Sequence, residues 1–475
     1  MSPLRQRVYE QLRDAIVLGT LKPGTRLPPS REHARLLGVS RNTVLWAVQR
    51  LQFEGYLNAR VGDGTYVSQQ ARGFAAARPA RRAPQPPCEA DLSRRGRRVA
   101  QSEVTWGPRP QQASAFRIGA PALEAFPFAT WERLARQTPK PVRLAAANYQ
   151  PAAGHPPLRA AIAGFLAVSR GIACTPEQVL VTSGSQQAID LIGRLLLDEG
   201  DEVLVEDPGY LGIRANLVAQ GALVRGVPVD AEGMVLGPAA RRHPKARLAI
   251  VTPTHQFPLG VTMSLARRLE LIDWARTQRG WVVEDDYDGE FQYTERGVPA
   301  LSSIDRSGRV LYVGTFSKIL HPGMRLGYLV LPPALVDAFH RAKAIVDRHS
   351  AGESQDVLAR FITEGHLVKH LRRMRELYRE RQQVLIDALA DASGGALQLA
   401  PSSTGMHLAL EAAPGVTDLD LTRRARSVGV EIAPLSVFCL QSARQGWLFG
   451  YAGFDAATLR AAAHKVARIL PRGNK

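Results

Sequence analysis

A lysine lies beside small hydroxyl residues at the end of a short apolar run. The run Val310-Leu311-Tyr312-Val313-Gly314 has the composition of a buried strand, and Thr315-Phe316-Ser317-Lys318 follows it directly. A lysine amine can form a Schiff base with a carbonyl compound when it is accessible and deprotonated. Because an isolated Ser-Lys pair is ordinarily just a solvated lysine, the chemistry of Lys318 depends on supporting groups elsewhere in the chain.

Polar groups follow other strands of the same kind. The run Thr182-Ser183-Gly184-Ser185-Gln186-Gln187 precedes a helical pattern, and its small residues favour backbone N–H groups facing an anion at a helix N-terminus. A tight structural turn would explain that run almost as well. Asp285 and Asp286 end another strand, with Tyr287 next, and Arg325 follows shortly after the lysine.

These groups together match the parts of one cofactor. A phosphate is bound by hydroxyls, backbone amides and an arginine, a pyridinium nitrogen by a carboxylate, and an aldehyde by a lysine. Pyridoxal 5′-phosphate contains all three parts. The sequence therefore predicts a pyridoxal 5′-phosphate site at the carboxyl ends of its strands, where parallel sheets bind ligands.

The strands that must position these groups alternate with helical patterns from about residue 111 onward. This alternation predicts an α/β domain over residues 111–475 with a mostly parallel, buried central sheet. The strands expected in it are 178–182, 202–205, 248–251, 281–284 and 310–314.

The first 70 residues follow a different pattern. Apolar residues at helical spacing predict a helix over about 3–18, and two more helices begin at Ser30 and after Ser40, each with its serine as N-cap. Two β-prone runs follow, joined by Gly62-Asp63-Gly64 as a hairpin. This order is typical of a winged helix-turn-helix domain, whose third helix enters the major groove of DNA.

The start of that third helix carries side chains suited to base recognition. Arg41 can donate two bonds to guanine, Asn42 can bind adenine, and Thr43 can contact a phosphate or a thymine methyl. Arg31, at the start of the second helix, is placed for a phosphate contact. The alternative is a small basic helical domain in which the same residues only cap helices.

The distribution of charge supports a DNA partner. The 475 residues contain 61 Lys and Arg against 43 Asp and Glu, a formal net charge of +18. Residues 1–70 hold ten basic and five acidic side chains, and residues 71–110 hold nine and three. More than half of the excess therefore lies in the first 110 residues, which indicates a polyanionic partner for that part of the chain.

Residues 71–110 are rich in arginine and proline and lack apolar periodicity, so we expect an exposed linker there. Two roles remain open for this linker. It either tethers the two domains or also adds salt-sensitive, non-specific affinity for DNA. The arginines that would make such contacts are Arg94, Arg95, Arg97 and Arg98.

The composition excludes several classes of protein. A hydrophobic content of 45% supports folded cores, and the apolar run of about 18 residues that a membrane helix needs does not occur. The N-terminus lacks the apolar segment of a secretory signal. Three scattered cysteines, Cys88, Cys174 and Cys439, form neither a disulfide framework nor a zinc motif. We therefore expect a cytoplasmic protein without a metal site.

The run LPPSREHARLLGVSRNTVLWAVQRLQFEGYLNARVGDGTYV closely resembles the winged helix of the GntR family of regulators. The resemblance covers nearly all of the first 67 residues. Some members carry a basic residue at the position of Leu45, which is apolar here. The DNA contacts that the resemblance implies are Arg31, Arg41, Asn42, Thr43 and the wing residue Gly62.

Residues 111–475 resemble the fold-type I, aminotransferase-like domains that bind pyridoxal 5′-phosphate. By this resemblance Lys318 would carry the internal aldimine. Asp285 would pair with the pyridine nitrogen, with Asp286 as the alternative because the motif is doubled.

The same resemblance implies roles for the residues around the cofactor ring and phosphate. Tyr287 would bond the ring hydroxyl, and Tyr210, in the run Glu206-Asp207-Pro208-Gly209-Tyr210, would stack on the ring. Tyr149 would reach the phosphate of the neighbouring subunit. The residues that would hold the phosphate within the chain are Ser185, Gln186, Thr315, Ser317 and Arg325.

A GntR-type winged helix joined by a linker to an aminotransferase-like domain is the layout of the MocR subfamily of regulators. The runs EDDYDGEFQY, GTFSKILHPGMRLGY and THQFP resemble that subfamily in particular. The resemblance implies a head-to-tail homodimer, in which each DNA-binding domain lies against the large domain of the partner subunit.

Two positions depart from the aminotransferase pattern. Aminotransferases place an asparagine before the proline of an Asn-Pro-Thr-Gly turn, where it bonds the ring hydroxyl, but the matching residue here is Phe257. They hold the substrate carboxylate with an arginine where this chain has Leu448, with Arg444 as the nearest substitute. Both changes favour sensing over turnover. The effector is left open as the cofactor itself, an amino acid or an amine of another shape.

The sequence therefore predicts a pyridoxal-phosphate-dependent, sequence-specific DNA-binding transcriptional regulator. Its ligand would have to bind two conformations with different affinity in order to control DNA binding. One alternative is an active aminotransferase that carries a DNA-binding domain. Another is a pseudoenzyme that binds DNA without a cofactor.

Overall fold

The structure is a computed structural model of the chain, and it describes residues 3–60, 62–70, 92–102, 114–294 and 298–470. The chain divides into two compact units, Met1–Asp91 and Leu92–Lys475. Each unit has apolar core residues of its own. Among the described helices, none combines the length and the apolar character that crossing a bilayer requires.

The smaller unit consists of three helices and a two-stranded hairpin, as the sequence predicts. Leu12, Ala47 and Leu51 belong to the apolar core that the helices share with the hairpin. In the hairpin, Leu57 pairs with Val67 in antiparallel register. The elements are α1 (Pro3–Val17), α2 (Ser30–Leu36), α3 (Arg41–Phe53), β1 (Leu57–Arg60) and β2 (Gly64–Val67).

One of the two predicted serine caps is correct. Ser40 precedes α3, and its hydroxyl accepts a hydrogen bond from the backbone N of Thr43 at 3.3 Å. The prediction for Ser30 is wrong, because Pro29 occupies the cap position and Ser30 is already the first helical residue. The Ser30 hydroxyl instead accepts a bond from Arg41 Nε at 3.1 Å, which links the start of α2 to the start of α3.

The larger unit is built on an eight-stranded sheet whose order is β3-β10-β9-β8-β7-β4-β5-β6. The neighbours from β5 through β9 are parallel, whereas β10 and β6 run against their partners. Each of the five predicted strands is present within two residues of its predicted bounds. The strands are β3 (Val179–Thr182), β4 (Glu202–Asp207), β5 (Leu223–Asp230), β6 (Gly233–Met234), β7 (Leu248–Val251), β8 (Trp281–Asp286), β9 (Val310–Thr315) and β10 (Gly327–Val330).

Helices cover both faces of this sheet, because successive side chains of a strand point to opposite faces. In β8, Val283 belongs to one apolar cluster and Val282 to another. The α-helices among the described residues of this unit are α4 (Arg94–Gln101), α5 (Phe128–Gln137), α6 (Lys140–Ala146), α7 (Pro156–Ser169), α8 (Ser185–Leu196), α9 (Leu211–Gln220), α10 (Leu236–Arg242), α11 (Leu265–Gln278), α12 (Leu301–Ile304), α13 (Phe316–Ile319), α14 (Val336–Val346), α15 (Gly352–Thr363), α16 (His366–Ser393), α17 (Asp418–Ser427) and α18 (Ala456–Ile469).

A smaller antiparallel sheet of three strands belongs to the C-terminal part of the larger unit. Its central strand, β13 (Gly446–Gly450), pairs with β11 (His407–Glu411) and β12 (Ala433–Pro434). Short 3₁₀ helices are Leu123–Ala125, Pro176–Gln178, Pro322–Met324, Pro333–Leu335 and Leu435–Phe438.

Part of the predicted linker is a helix in the structure. Ser93 accepts a hydrogen bond from the backbone N of Gly96 at 3.0 Å and so caps α4. This helix packs against α9, and Arg98 Nη1 lies 2.8 Å from Glu199 Oε1. Residues 92–102 thus belong to the larger unit, whereas 71–91 and 103–113 lie outside the described residues.

Replacing Leu51 by Ala should unfold the smaller unit and leave the larger one folded. Leu51 is fully buried in α3. Removing a buried leucine side chain costs about 3 kcal/mol, a large share of the stability of so small a unit. Phe53 in the same helix is 93% exposed, so Phe53→Ala is the matched control. The calorimetric trace of Leu51→Ala should lack one of the thermal unfolding transitions of the wild type, whereas the trace of Phe53→Ala should keep all of them. An unchanged trace for Leu51→Ala would contradict the role of this residue in the core of the smaller unit.

Candidate functional site

The parallel strands bring the predicted cofactor residues to one edge of the sheet. β4, β7, β8 and β9 share one direction, so their last residues, Asp207, Val251, Asp286 and Thr315, lie along the same edge. β3 also runs this way, because β10 lies between β3 and β9 and is antiparallel to both. Arg325 lies two residues before the start of β10, and it therefore returns to this edge as well.

Lys318 lies in the short helix α13, which follows β9. Its Nζ donates a hydrogen bond to the carbonyl oxygen of Gly119 at 2.9 Å. A Cβ at Gly119 would lie only 2.5 Å from that Nζ, so the lysine reaches this position because the residue is glycine. Burial lowers the pKa of the Lys318 amine, and the charges of Asp288 and Asp285 oppose the shift. A lowered pKa favours the neutral amine, which is the form that attacks a carbonyl.

The two adjacent aspartates have different surroundings. Asp286 Oδ2 lies 2.6 Å from Arg170 Nη2 and accepts a hydrogen bond from the Tyr312 hydroxyl at 2.7 Å. Asp285 points to the opposite face of the sheet, and its buried Oδ1 has no hydrogen-bond partner among the described residues. Burial, together with neighbouring carboxylates, raises the pKa of Asp285 to about 7. A buried carboxyl group without a partner, close to Lys318, fits the ring nitrogen of a pyridinium.

The hydroxyl of Tyr287 contacts a histidine that the sequence analysis did not assign to the site. It lies 2.8 Å from His255 Nδ1, and the same nitrogen lies 2.9 Å from Asp288 Oδ2. Burial raises the pKa of Tyr287 well above its usual value, so the phenol is protonated at neutral pH. His255 and Asp288 stand in the runs THQFP and EDDYDGEFQY, but nothing in their spacing shows that these runs meet.

The guanidinium of Arg325 lies beside the start of α8. Gly184 precedes the helix with φ 103°, a conformation that favours glycine. Arg325 Nη2 donates to the carbonyl oxygen of Ser183 at 2.8 Å. This bond holds the guanidinium beside Gly184, where a Cβ would come within 3.5 Å of it. Free N–H groups at a helix N-terminus and an adjacent guanidinium fit a phosphate.

The remaining predicted phosphate residues lie at the starts of α8 and α13. Ser185 and Gln186 are half-buried in the first turn of α8, and Gln186 Nε2 is buried without a hydrogen-bond partner among the described residues. Thr315 Oγ1 accepts a bond from the backbone N of Ser317 at 3.1 Å and so caps α13. The Thr315 hydroxyl only accepts in this bond, so its own proton and the Gln186 amide both remain able to donate to a ligand.

Tyr210 and Phe257 form an aromatic wall beside these groups. Their ring centroids are 5.7 Å apart, and the Phe257 ring lies 6.1 Å from that of Tyr287. Gly212 leaves room for this wall, since a Cβ there would lie 2.6 Å from Tyr210 Cε1. Phe257 therefore occupies the neighbourhood of Tyr287 but has no group that could bond a ring hydroxyl.

The position of Leu448 is apolar in the structure as well. Leu448 is fully buried in a cluster that includes Phe257. Arg444 is not a substitute for the missing arginine, because it forms an ion pair with Glu411 and donates to the carbonyl oxygen of Val229 at 3.1 Å. The basic side chain that does influence Lys318 is Arg117, whose charge helps to lower the pKa of the lysine. The sequence analysis missed Arg117 because it lies 201 positions before the lysine.

Tyr149 stands apart from the other predicted cofactor residues. Its side chain is 73% exposed, and the guanidinium of Arg348 lies 4.3 Å from its ring centroid. The His349 ring is 6.0 Å away. The contact with the phosphate of a neighbouring subunit that the resemblance implies for Tyr149 remains a prediction.

Four of the five predicted DNA contacts are on the surface of the smaller unit. Arg31, Arg41 and Asn42 are exposed at the starts of α2 and α3, and Gly62 is exposed in the wing with φ 80°. Thr43 differs, because it is buried and its hydroxyl lies 2.9 Å from that of Ser40. In this structure Thr43 therefore stabilises the start of α3 and presents no side chain to DNA.

Asp285→Asn should abolish tight binding of pyridoxal 5′-phosphate but should not destabilise the cofactor-free protein. Because burial raises the pKa of Asp285 from 3.8 to about 7, this carboxyl group contributes stability that is full below about pH 4. That contribution is lost as the pH rises through about 7. At pH 8 the cofactor-free Asn variant should therefore unfold at a higher temperature than the wild type.

Asp286→Asn is the matched control for this prediction. It removes the charge that pairs with the buried Arg170, which should cost roughly 3–5 kcal/mol of unfolding free energy. Thermal unfolding at pH 8 and a cofactor titration of both variants check the contrast. A destabilised Asp285→Asn protein would contradict the view that this carboxylate lacks a partner.

Both units match known families. The sequence model of "Aminotransferase class I and II" matches residues 126–466, and that of "Bacterial regulatory proteins, gntR family" matches residues 4–67. The chain is 41% identical to the "Probable rhizopine catabolism regulatory protein MocR" of Rhizobium meliloti, over 96% of this chain and 92% of the relative. It is 35% identical to the "HTH-type transcriptional regulator TauR" of Rhodobacter capsulatus, over 98% and 96%.

A solved structure shares the fold of the larger unit. LysN, an α-aminoadipate aminotransferase from Thermus thermophilus in complex with N-(5′-phosphopyridoxyl)-L-leucine, superposes with a TM-score of 0.69 at 30% identity. The match covers 74% of this chain and 91% of that one. It confirms the predicted fold-type I aminotransferase-like domain. The chain therefore belongs to the MocR-type GntR family of transcriptional regulators, in which a DNA-binding winged helix is joined to an aminotransferase-like domain.

Proposed function

We propose that the larger unit of this regulator binds pyridoxal 5′-phosphate at Lys318, and that the state of this site controls DNA binding by the winged helix. The observation that carries the proposal is the buried carboxyl group of Asp285, whose Oδ1 has no hydrogen-bond partner among the described residues and whose charge acts on Lys318, a lysine of lowered pKa. A pyridinium nitrogen would supply the missing partner and stabilise the ionised carboxylate.

The residues at the sheet edge would hold the cofactor as follows. Lys318 would bind its aldehyde carbon, Asp285 its ring nitrogen and Tyr287 its ring hydroxyl, while Tyr210 would stack on the ring. When bound, the cofactor supplies an electrophilic carbon and withdraws electrons from an attached amine. The phosphate would be held by Ser185, Gln186, Thr315, Ser317 and Arg325, and Thr315 would also cap the start of α13.

The protein would act as a homodimer. Tyr149 is exposed, with its ring against the guanidinium of Arg348, which suits a contact with the phosphate bound by a second copy. We propose the head-to-tail arrangement of the family, with the winged helix of one copy against the larger unit of the other. The cytoplasm of a bacterium, where chromosomal DNA lies, would be its location.

The effector would be an amine, with sensing favoured over turnover. Phe257 offers no hydrogen bond to the ring hydroxyl, and the apolar cluster around Leu448 has no guanidinium for a substrate carboxylate. The relative in Rhizobium meliloti is described as a regulator of rhizopine catabolism, which supports a role in sensing a compound that is to be degraded.

Addition of a suitable primary amine to the cofactor-loaded protein should change its visible absorbance and its DNA footprint over the same concentration range. Steady-state amino-group transfer should remain far below ~10 per second, the rate typical of enzymes. Absorbance titration, footprinting and a coupled transaminase assay check these outcomes. Turnover at enzyme-like rates with a footprint indifferent to ligand would favour the aminotransferase alternative.

The DNA contacts would come from α3 and its surroundings. We propose that Arg41 and Asn42 read base edges, that Arg31 binds a phosphate, and that the wing approaches DNA at Gly62. Thr43 would contribute by supporting the Ser40 cap of α3, and direct contact with DNA would require its hydroxyl to leave Ser40.

Arg41→Ala and Asn42→Ala should each weaken binding to the specific operator by about 10- to 100-fold, because a bidentate base contact is worth about 1–3 kcal/mol. Binding to unrelated DNA should fall much less. Arg13→Ala is the control, because Arg13 lies on α1 and pairs with Asp14 at 2.9 Å. Fluorescence anisotropy with specific and scrambled duplexes measures the ratio. Equal losses on both duplexes would show that these side chains contact only the backbone.

A further inference from the structure

His255 and Asp288 form a buried pair directly behind Tyr287. Their side chains are 0% and 1% exposed, and His255 Nδ1 lies within hydrogen-bond distance of both Asp288 Oδ2 and the Tyr287 hydroxyl. We propose that His255, held by Asp288, is a positioning residue that directs the hydroxyl proton of Tyr287 into the cofactor site. The inference rests on the proposed cofactor site, but it concerns residues to which no role has been assigned.

The orientation of the Tyr287 hydroxyl follows from whether Nδ1 of His255 carries a proton. A ring nitrogen of neutral histidine either carries a proton and donates or has a lone pair and accepts. Burial raises the pKa of Asp288, but its contact with His255 opposes this shift, and we take the carboxyl group as ionised. An ionised Asp288 only accepts, so Nδ1 then carries the proton that lies between them. Nδ1 then cannot accept the proton of Tyr287. The Tyr287 oxygen shares the Nδ1–H, and its own proton points away from His255.

The surroundings of His255 fix the ring in this orientation. Gly405 has φ 91°, and a Cβ there would lie 2.0 Å from His255 Cε1, so the backbone lies directly against the ring. On another side, a Cβ at Gly260 would lie 3.3 Å from Nε2. The His407 ring centroid is 4.9 Å away, and its Nε2 lies 3.0 Å from the carbonyl oxygen of Pro258. The titratable groups that face His255 are thus Asp288, Tyr287 and His407.

The direction of the Tyr287 hydroxyl proton matters because few other groups in the site could donate a hydrogen bond to the ring hydroxyl of the cofactor. Phe257, two residues after His255, packs near Tyr287 but cannot donate. A Tyr287 hydroxyl that donates to the deprotonated ring oxygen stabilises this anion and lowers the pH at which the bound cofactor loses its proton. Loss of the histidine contact would free the proton to point elsewhere and would raise that pH.

Two amide variants separate this role from simple packing. The amide nitrogen of asparagine occupies nearly the position of Nδ1, whereas that of glutamine lies nearer Nε2. The pH midpoint of the visible band of bound pyridoxal 5′-phosphate should therefore stay within about 0.3 units in His255→Asn and rise by about one unit in His255→Gln. One unit corresponds to a tenfold change in the ionisation equilibrium. Equal midpoints in the two variants would overturn the proposal.

A double-mutant cycle tests whether His255 acts through Tyr287. In a Tyr287→Phe background, the further change His255→Gln should leave the midpoint where Tyr287→Phe alone puts it. A shift of the same size in both backgrounds would show that the histidine acts by packing alone. Circular dichroism and thermal unfolding of each variant confirm that the comparison is made on folded protein.

A measurement without cofactor keeps the inference separate from the proposed function. Nitrogen-15 NMR of histidine-labelled wild-type protein should show His255 protonated at Nδ1, with Asp288→Asn and His255→Gln spectra giving the assignment. Protonation at Nε2 alone would overturn the inference, even if the variants above failed to fold or to bind cofactor. If instead the wild type never develops a visible band with pyridoxal 5′-phosphate, the proposed cofactor site fails, whatever the tautomer.

Discussion

The burial of several carboxyl groups at one edge of the sheet is the constraint on which the rest of the larger unit depends. Glu206, Asp285, Asp286 and Asp288 are all buried there. Taking such groups out of water disfavours their charged forms unless partners compensate. Arg170 compensates Asp286 and His255 compensates Asp288, while Thr252 donates to Glu206 from its hydroxyl at 2.6 Å. The Oδ1 of Asp285 has no hydrogen-bond partner among the described residues, and under the proposed function a ligand would supply one.

The distribution of partners gives the two adjacent aspartates of β8 different surroundings. Asp286 and Arg170 neutralise each other on one face of β8 and stabilise the fold. Asp285 keeps an uncompensated carboxyl group on the other face, next to the amine of Lys318. Alternation along a strand is enough to give two adjacent aspartates these different tasks. In the proposed cofactor site, a cationic ring nitrogen next to an aldehyde would satisfy both groups on this face at once.

Much of this architecture could be predicted from the sequence, because its signals are local. The five strands and the Ser40 cap depend on residues within a few positions of one another, and both appear in the structure. Ser30 failed as a cap because Pro29 moves the helix start by one residue. The helix at Arg94–Gln101 was missed because its stability includes the non-local ion pair between Arg98 and Glu199.

The contacts around the cofactor site could not be predicted in the same way. His255 and Tyr287 meet through the pairing of β7 with β8, and Arg117 reaches the vicinity of Lys318 from a distant part of the chain. Alternative partners such as Arg444 look plausible in sequence until the structure shows their ion pairs. Tertiary contacts of this kind leave no periodic pattern, and this is why the strand ends were predicted better than the groups that surround them.

The central claim is that a cofactor bound through Lys318 controls DNA binding. Its most direct test is a titration of pyridoxal 5′-phosphate into the cofactor-free wild type and into Lys318→Ala, recording visible absorbance and affinity for promoter DNA in the same samples. The account predicts a lysine-dependent absorption band together with a change in DNA affinity in the wild type and neither in Lys318→Ala. A band with unchanged DNA binding, or a DNA response that survives the loss of the lysine, would contradict it.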